Sequence, residues 1–242
     1  MKIYGNIFYI TFLITLATSC VPTKKSTTDL DRTLFVEVKS LIPSLVLEIR
    51  YFGNYNFVGE RIDGYQSPRC LLTEKAARAL KKVQKDLRKK RLSLIVYDCY
   101  RPQKAVDHFV RWAKDLNDTK MKSVFYPQMK KSSLFKKGYI AEKSGHSRGS
   151  TVDVALIALP DISTGPTTAF KKKVLDMGTH FDYFGERSHT RNGTISLRQK
   201  SNRMILKNVM EKNGFKNLAE EWWHYTLIDE PFRDTYFNFE IE

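Results

Sequence analysis

The sequence comprises 242 residues with 42% hydrophobic and 12% aromatic side chains, a balance typical of a globular protein with one sizeable core. The formal net charge at pH 7 is +15, but the lysines are scattered in short runs, which favours solvated faces over a nucleic-acid groove. We therefore expect one folded domain and no nucleic-acid partner, while an attraction to anionic wall polymers or lipid surfaces stays open.

The N-terminus has the features of an export signal. Lys2 precedes a mostly apolar run over residues 7–16, and three small residues lie directly before Cys20. The run is shorter than the about 20 apolar residues of a membrane span. Residues 16–20 resemble a bacterial lipoprotein signal, which implies that Cys20 is lipidated, although ordinary secretion stays open. We expect an exported protein of the periplasm or cell envelope, anchored to the membrane if Cys20 is modified.

Beyond the predicted signal, the sequence indicates a tether, a folded domain and two further cysteines. Residues 21–32 are rich in Thr, Ser and Lys and indicate a flexible tether, so the folded domain spans residues 33–242. In an oxidising compartment Cys70 and Cys99 could form a disulfide. The sequence alone does not show whether their Cα atoms come within bonding range, so the disulfide is a hypothesis.

The first half of the domain contains clear periodic segments. Residues 45–51 are rich in β-formers and predict a strand, followed by a loop over residues 54–64. Thr73 can cap an amphipathic helix that ends near Lys90, and its predicted inward residues are Ala76, Leu80, Val83 and Leu87.

A second strand and helix follow directly. Residues 92–97 predict a strand that places residues 98–101 at its end, and Pro102 begins a helix. The predicted buried side of this helix consists of Val106, Phe109, Ala113 and Leu116.

The second half is less regular. Residues 117–150 predict a loop with short elements, and residues 151–159 a strand buried on both faces, where the carboxylate of Asp153 requires a partner. We expect a helix from Ser201 to just before Gly214, and strands over residues 221–228 and 236–241. This mixed order predicts a single α+β domain with a mainly antiparallel central sheet flanked by helices.

Two of the five histidines lie in unusual surroundings: His146 between Ser-Gly and Ser-Arg-Gly, and His224 after Glu-Trp-Trp. His146 in a loop and Asp153 in a strand are positioned to converge on one zinc ion, with His224 as the third ligand and Glu221 as a proton acceptor. Taken singly, each residue favours an ordinary interpretation, in which His146 caps a loop, Asp153 pairs with Arg148 and the tryptophans are core.

The spacing of Glu221 and His224 sets a geometric condition. Residues three apart point to opposite faces of a regular strand. We therefore expect Glu221 to lie at the entry of its strand, with the zinc site at the sheet.

Five motifs in order resemble one family. The run over residues 144–153 and the run over residues 221–225 are similar to the zinc signature of the VanX-type D-alanyl-D-alanine dipeptidases. The likeness continues over residues 97–102, in residues 176–179 with Phe181-Asp182, and in Asn202-Arg203. It covers nearly everything from about residue 40 to the end.

The resemblance implies a specific set of site residues. It implies one zinc ion per chain on His146, Asp153 and His224, Glu221 as catalytic base and Arg101 as stabiliser of the oxyanion. It also implies that Asp182 binds the substrate ammonium and Ser144 the substrate carboxylate, so that the substrate is the dipeptide D-alanyl-D-alanine. The sequence departs from the family pattern at Cys99, where glycine is usual, and at Gly145, where serine is usual.

Two other functions stay open. The same zinc site could belong to a D,D-carboxypeptidase or endopeptidase acting on longer peptidoglycan stem peptides, although an ammonium clamp at Asp182 would block extended chains. Alternatively, the chain could be a lipid-anchored protein in which zinc is structural and catalysis is absent.

Overall fold

The computed structural model describes Met1 and residues 31–160 and 173–242. The export signal with Cys20, and the tether up to residue 30, lie outside the described residues. No helix in the described part of the chain is long and apolar enough to cross a membrane. The strands are β1 (Phe35–Glu37), β2 (Val46–Leu47), β3 (Leu71–Thr73), β4 (Leu92–Asp98), β5 (Thr151–Ala158), β6 (Lys173–Val174), β7 (Phe215–Asn217) and β8 (His224–Leu227). The α-helices are α1 (Val38–Leu41), α2 (Glu74–Arg88), α3 (Gln103–Lys114), α4 (Lys122–Phe125) and α5 (Leu197–Lys212).

The central sheet has six strands in the order β2-β4-β5-β8-β7, with β6 paired to the far end of β5. The neighbouring strands β4, β5, β8 and β7 pair antiparallel, whereas β2 runs parallel to β4. The sheet is therefore mixed, which corrects the expectation of a mainly antiparallel sheet, while the single α+β domain is confirmed. A separate two-stranded sheet joins β1 to β3.

The register of the central strands aligns three polar residues across the sheet. Asp98 at the end of β4 lies opposite Asp153 of β5, which lies opposite His224 at the start of β8. A register shift between Val96 and Asp98 produces this alignment. Bulges of this kind redirect a side chain next to a site. The sheet thus places Asp98 beside the candidate metal ligands.

Helices α2 and α3 agree with their predicted periodicity. Thr73 caps α2 by accepting a hydrogen bond from the amide of Ala76, and every predicted inward residue of α2 is fully buried. Pro102 directly precedes α3. Leu116 was predicted to be buried but lies beyond the last residue of α3 and is 54% exposed, because the helix ends before the period reaches it.

Four predicted elements differ in extent. The strand expected over residues 221–228 is only β8, because a turn closed by the His224 amide and the Glu221 carbonyl precedes it. The strand expected over residues 45–51 is only β2, because a 3-10 turn begins at Arg50. Helix α5 begins at Leu197 rather than at Ser201, since Ser196 and Gln199 form a capping box that satisfies the free amides of the first turn. The segment 236–241 buries Phe237 and Phe239, but among the described residues it forms only an isolated bridge, between Ile241 and Tyr65, instead of a strand.

Candidate metal centre and active site

Three side chains from three elements converge at one end of the central sheet. His146 lies in a 3-10 turn (Gly145–Arg148), Asp153 in β5 and His224 at the first position of β8. The Nε2 atom of His146 lies 3.3 Å from Nδ1 of His224 and 3.2 Å from Oδ2 of Asp153, and Nδ1 of His224 lies 3.2 Å from Oδ1 of Asp153. Tetrahedral zinc with ligand bonds of about 2.0–2.2 Å separates its donor atoms by about 3.3–3.6 Å. The spacing of the three donors therefore suits a single zinc ion.

The carboxylate of Asp153 has an acceptor atom without a hydrogen bond. Its side chain is 2% exposed, and Oδ1 lies 3.2 Å from Nδ1 of His224 without forming a hydrogen bond to it or to any other described group. Although burial opposes ionisation, the imidazoles of His146 and His224 hold the pKa of Asp153 well below its usual range. A buried, ionised carboxylate is costly unless it pairs with a cation or binds a metal, so a cation at this position would explain it. The alternative partner, Arg148, instead forms a bidentate pair with Glu230, with both N–O distances 2.9 Å.

The orientation of His146 is set by its other ring nitrogen. Nδ1 donates a hydrogen bond to the carbonyl of Cys99 over 2.7 Å, because that carbonyl can only accept. This tautomer leaves a lone pair on Nε2, which faces the centre. Histidine ligands of metals are commonly held in this way by a backbone carbonyl.

Glu221 lies in the turn directly before β8, at the entry of the strand as expected. The amide of His224 donates to the Glu221 carbonyl over 3.2 Å, and the Glu221 carboxylate lies 3.4 Å from Nδ1 of His224. Burial raises the pKa of the Glu221 carboxyl to about 7, with His224 opposing the shift and the negative charge of Asp153 adding to it. A carboxyl with such a pKa can both accept and return a proton near neutral pH.

Arg101 follows β4 and lies close to the carboxylate of Asp153. Its Nε donates to Oδ2 of Asp98 over 2.9 Å, and its Nη2 lies 3.5 Å from Oδ2 of Asp153. The guanidinium also lies over the ring of Tyr51, with Cζ 4.9 Å from the ring centroid. These contacts hold a cation at the site in one orientation, since an Arg fork is rigid and always charged.

Asp182 presents a second, separate carboxylate. It has a left-handed backbone, with φ of 60°, and accepts a hydrogen bond from the Tyr51 hydroxyl over 2.8 Å. Burial, together with the charge of Asp153, raises the pKa of Asp182 well above its usual range. A buried carboxyl of this kind is suited to a cationic group on a ligand, which would offset the cost of its ionisation.

Of the seven residues predicted to bind zinc, bind substrate or act in catalysis, six line one cavity. Ser144, which also accepts a hydrogen bond from the His146 amide over 3.2 Å, lines this cavity. The other predicted residues that line it are Arg101, Asp153, Asp182, Glu221 and His224. His146 is fully buried and is not among the residues that line the cavity. The cavity therefore offers a carboxylate base, a cation and a metal-ligand set to one small ligand.

Two supporting residues had no role in the sequence analysis. Asp98 accepts hydrogen bonds from Arg101 and from the Tyr65 hydroxyl, the latter over 2.7 Å, and Tyr51 holds Asp182. The motif at residues 97–102 already contained Asp98, but no signal marked Tyr51. The ordinary interpretation of the tryptophans holds in part, since Trp222 and Trp223 are both buried in the core.

Cys70 and Cys99, whose pairing the sequence left open, are bonded in the structure. The Cα atoms of Cys70 and Cys99 lie 5.3 Å apart, and both residues are buried. Cys99 is also the residue whose carbonyl accepts from His146. The bond therefore lies directly beside the candidate metal centre.

Comparison with known proteins gives consistent matches. A family model described as D-ala-D-ala dipeptidase (peptidase M15) matches residues 31–242. A D-alanyl-D-alanine dipeptidase of Enterococcus faecalis is 38% identical over 207 residues, covering 86% of this chain and 98% of that protein. One of Streptomyces coelicolor is 37% identical over 207 residues, covering 86% and 98%.

A solved structure shares a more distant likeness. It is a mutant of the vancomycin resistance D,D-pentapeptidase VanY, from a VanB-type resistance cassette, in complex with Zn(II). It is 13% identical, with a TM-score of 0.39, and covers 68% of this chain and 76% of that chain.

Proposed function

Because this chain belongs to the peptidase M15 family of D-alanyl-D-alanine dipeptidases, we propose that it hydrolyses D-alanyl-D-alanine to two molecules of D-alanine during turnover of cell-wall peptides. The chain is a zinc metallopeptidase. The observation that carries the proposal is the single cavity in which Glu221, Arg101 and Asp182 surround the ligand set.

The chemistry begins with the residues that hold the metal. His146, Asp153 and His224 would hold one zinc ion, which supplies a Lewis acid that activates water and polarises a peptide carbonyl. Glu221 accepts a proton from the attacking water as the water oxygen bonds to the carbonyl carbon. When the carbon–nitrogen bond breaks, Glu221 returns that proton to the leaving amine.

Arg101 stabilises the negative charge that develops on the carbonyl oxygen. Its guanidinium is held by Asp98 and is only 12% exposed at the side chain. A fixed cation in such a dry site stabilises a developing oxyanion more than it would in water. Because the cation is already oriented, little reorganisation is needed during the reaction.

The two ends of the substrate have separate partners. Asp182 binds the free ammonium, and the Ser144 hydroxyl binds the C-terminal carboxylate. A site that holds both ends of a dipeptide discriminates against longer peptides, because an internal amide has no charge for Asp182 to pair with.

A Glu221→Ala variant tests the mechanism. With zinc bound, we expect its kcat for D-alanyl-D-alanine to fall about 10²–10⁴-fold, the usual contribution of general acid–base catalysis. The measurement is release of D-alanine by the purified protein, with zinc content determined on the same sample. Normal turnover by the zinc-loaded Glu221→Ala variant would rule out Glu221 as the catalytic base.

Peptide length separates the dipeptidase from the stem-peptide alternative. The same assay is run with D-alanyl-D-alanine and with tetra- and pentapeptide wall stems. We expect the dipeptide to be cleaved fastest. Faster cleavage of the longer peptides would instead assign a D,D-carboxypeptidase or endopeptidase.

We also propose that the enzyme acts outside the cytoplasm, anchored through a lipid on Cys20. The bonded pair of Cys70 and Cys99 supports an oxidising compartment, because disulfides persist there and are rare in the cytosol. In cell fractions we expect the protein in the membrane fraction, and the Cys20→Ala variant outside it. Equal membrane association of the two proteins would argue against the lipid anchor.

A further inference from the structure

The segment of residues 98–101 borders the proposed metal centre through three contacts to His146. The Cys99 carbonyl accepts from Nδ1 over 2.7 Å, and the Arg101 amide donates to the His146 carbonyl over 3.3 Å. Oδ2 of Asp98 lies 3.5 Å from the same Nδ1 atom. The direction in which the His146 ring points therefore depends on where this short segment lies.

Among the described residues, the central sheet pairs with this segment only at its first residue. The last pair in the register of β4 with β5 joins Asp98 to Asp153. Beyond it, the Tyr100 amide donates to the Leu71 carbonyl over 3.0 Å, and the disulfide joins Cys99 to Cys70. The disulfide is thus a covalent support at the residue whose carbonyl holds the His146 ring.

The other end of the disulfide is firmly placed. The carbonyl of Cys70 accepts a hydrogen bond from the Val38 amide over 2.9 Å, and the next residue begins β3, which pairs with β1. Both cysteines are buried in the core. Movement of Cys99 away from His146 would therefore have to carry β3 with it or break the bond.

We propose that the Cys70–Cys99 disulfide is a positioning element of the metal centre, which holds the Cys99 carbonyl against Nδ1 of His146 and so keeps Nε2 directed at zinc. This inference rests on the proposed metal site. Outer partners of metal ligands commonly change metal affinity about 10–100-fold when they are removed. Formation of the disulfide would accordingly raise zinc affinity as well as stability.

The test replaces both sulfur atoms and measures metal binding. A Cys70→Ala/Cys99→Ala variant keeps the Cys99 backbone but loses its covalent support. We expect its zinc dissociation constant, measured by competition with a chromophoric chelator, to rise about 10-fold or more. We expect the KM for the dipeptide to change less than twofold, because the variant leaves Asp182 and Ser144 in place.

A destabilised control separates positioning from loss of stability. Leu87 is fully buried in the last turn of α2, about 20 Å along the helix from Thr73. Leu87→Ala lowers the melting temperature without touching the segment of residues 98–101. At a temperature at which both variants remain folded by circular dichroism, we expect Leu87→Ala to bind zinc within twofold of the wild type.

A second measurement covers the case in which the double variant does not fold. The wild-type protein is treated with a water-soluble phosphine, which transfers two electrons to the disulfide and becomes a phosphine oxide. We expect two titratable thiols and the same loss of zinc affinity. Unchanged zinc affinity in the folded reduced protein or in the folded variant would overturn the proposal. Unfolding of both proteins would also overturn it, because the disulfide would then stabilise the whole fold rather than the metal centre.

The zinc measurement is independent of peptide hydrolysis. If the wild type binds zinc but cleaves no dipeptide, the proposed substrate fails, while the effect of the disulfide on zinc affinity can still be read. If wild type and variant cleave the dipeptide and bind zinc equally well, only the positioning proposal fails.

Discussion

Tyr51 shows how one hydroxyl can hold a residue that lines the cavity. It is 1% exposed, donates to Asp182 over 2.8 Å and packs beneath the Arg101 guanidinium. The hydroxyl fixes Oδ2 of Asp182, and Asp182 lines the cavity. Tyr51 therefore positions the proposed ammonium partner without being needed for proton transfer.

We expect Tyr51→Phe to raise the KM for D-alanyl-D-alanine about 3–10-fold with kcat changed less, because one hydrogen bond contributes about 0.5–1.5 kcal/mol. The matched control is Tyr126→Phe, which removes a buried hydroxyl that has no partner among the described groups. Steady-state kinetics of both variants make the comparison. A fall in kcat at constant KM would contradict this assignment of Tyr51.

Asp98 is a buried carboxylate shared by two functional neighbours. It accepts from Arg101, lies 3.5 Å from Nδ1 of His146, and is held in turn by the Tyr65 hydroxyl. An amide at this position has nearly the same shape but no charge, so it should loosen the Arg101 guanidinium without leaving a void.

We expect Asp98→Asn to lower kcat/KM about 10–100-fold and to lower the affinity for zinc as well. The measurement is kcat/KM at saturating zinc, beside a chelator competition for the zinc dissociation constant. Asp86→Asn, which changes a carboxylate paired with Lys212 outside the cavity, is the control and should keep wild-type kinetics. Retention of kcat/KM by Asp98→Asn would show that Arg101 is held well enough by its other contacts.

At the scale of the element, helix α5 illustrates how a cap defines a helix start. Ser196 accepts from the Gln199 amide, and the Gln199 side chain accepts from the Ser196 amide over 2.8 Å. Later in the same helix, Arg203 donates to the carbonyls of Met177, Arg187 and His189. The helix thereby supports the loop that carries Asp182, although neither Ser196 nor Arg203 lines the cavity.

We expect Ser196→Ala to destabilise the protein by about 1 kcal/mol, through loss of the cap, with unchanged kinetics. Ser201→Ala replaces an exposed serine inside the same helix and should leave the melting temperature nearly unchanged. Thermal unfolding of both variants distinguishes a helix that starts at Leu197 from one that starts at Ser201. A larger loss for Ser201→Ala would contradict the observed cap.

At the scale of the whole molecule, the metal centre joins parts of the chain that are distant in sequence. Its proposed ligands come from a 3-10 turn, from β5 and from β8, and among the described residues Oδ1 of Asp153 has no hydrogen bond. Metal bound only by the folded protein stabilises it in proportion to the logarithm of the metal concentration.

We expect removal of zinc by a chelator to lower the melting temperature, and its return at 1,000 times the dissociation constant to restore about 4 kcal/mol. Scanning calorimetry of metal-free and zinc-loaded protein measures the shift. His146→Ala should abolish it, whereas His108→Ala, which changes a histidine paired with Glu60 and Asp63, should retain it. A shift that persists in His146→Ala would place the stabilising zinc elsewhere.

Local patterns in the sequence determined much of the architecture. The periods of α2 and α3 and the apolar run of β5 predicted those elements, because each depends on residues a few positions apart. The motifs around His146 and His224 likewise named every residue of the proposed ligand set.

Only the tertiary structure decided the contacts that hold the site. The hydrogen bond from Tyr51 to Asp182 spans 131 residues, and the one from His146 to the Cys99 carbonyl spans 47. Neither follows from periodicity, because a hydrogen bond depends on where two distant segments meet in space. For the same reason the sequence left the pairing of Cys70 and Cys99 open. Residues 236–241 alternate in sequence and pack against the core, but they form no strand, because a full ladder of backbone partners is lacking in the described residues.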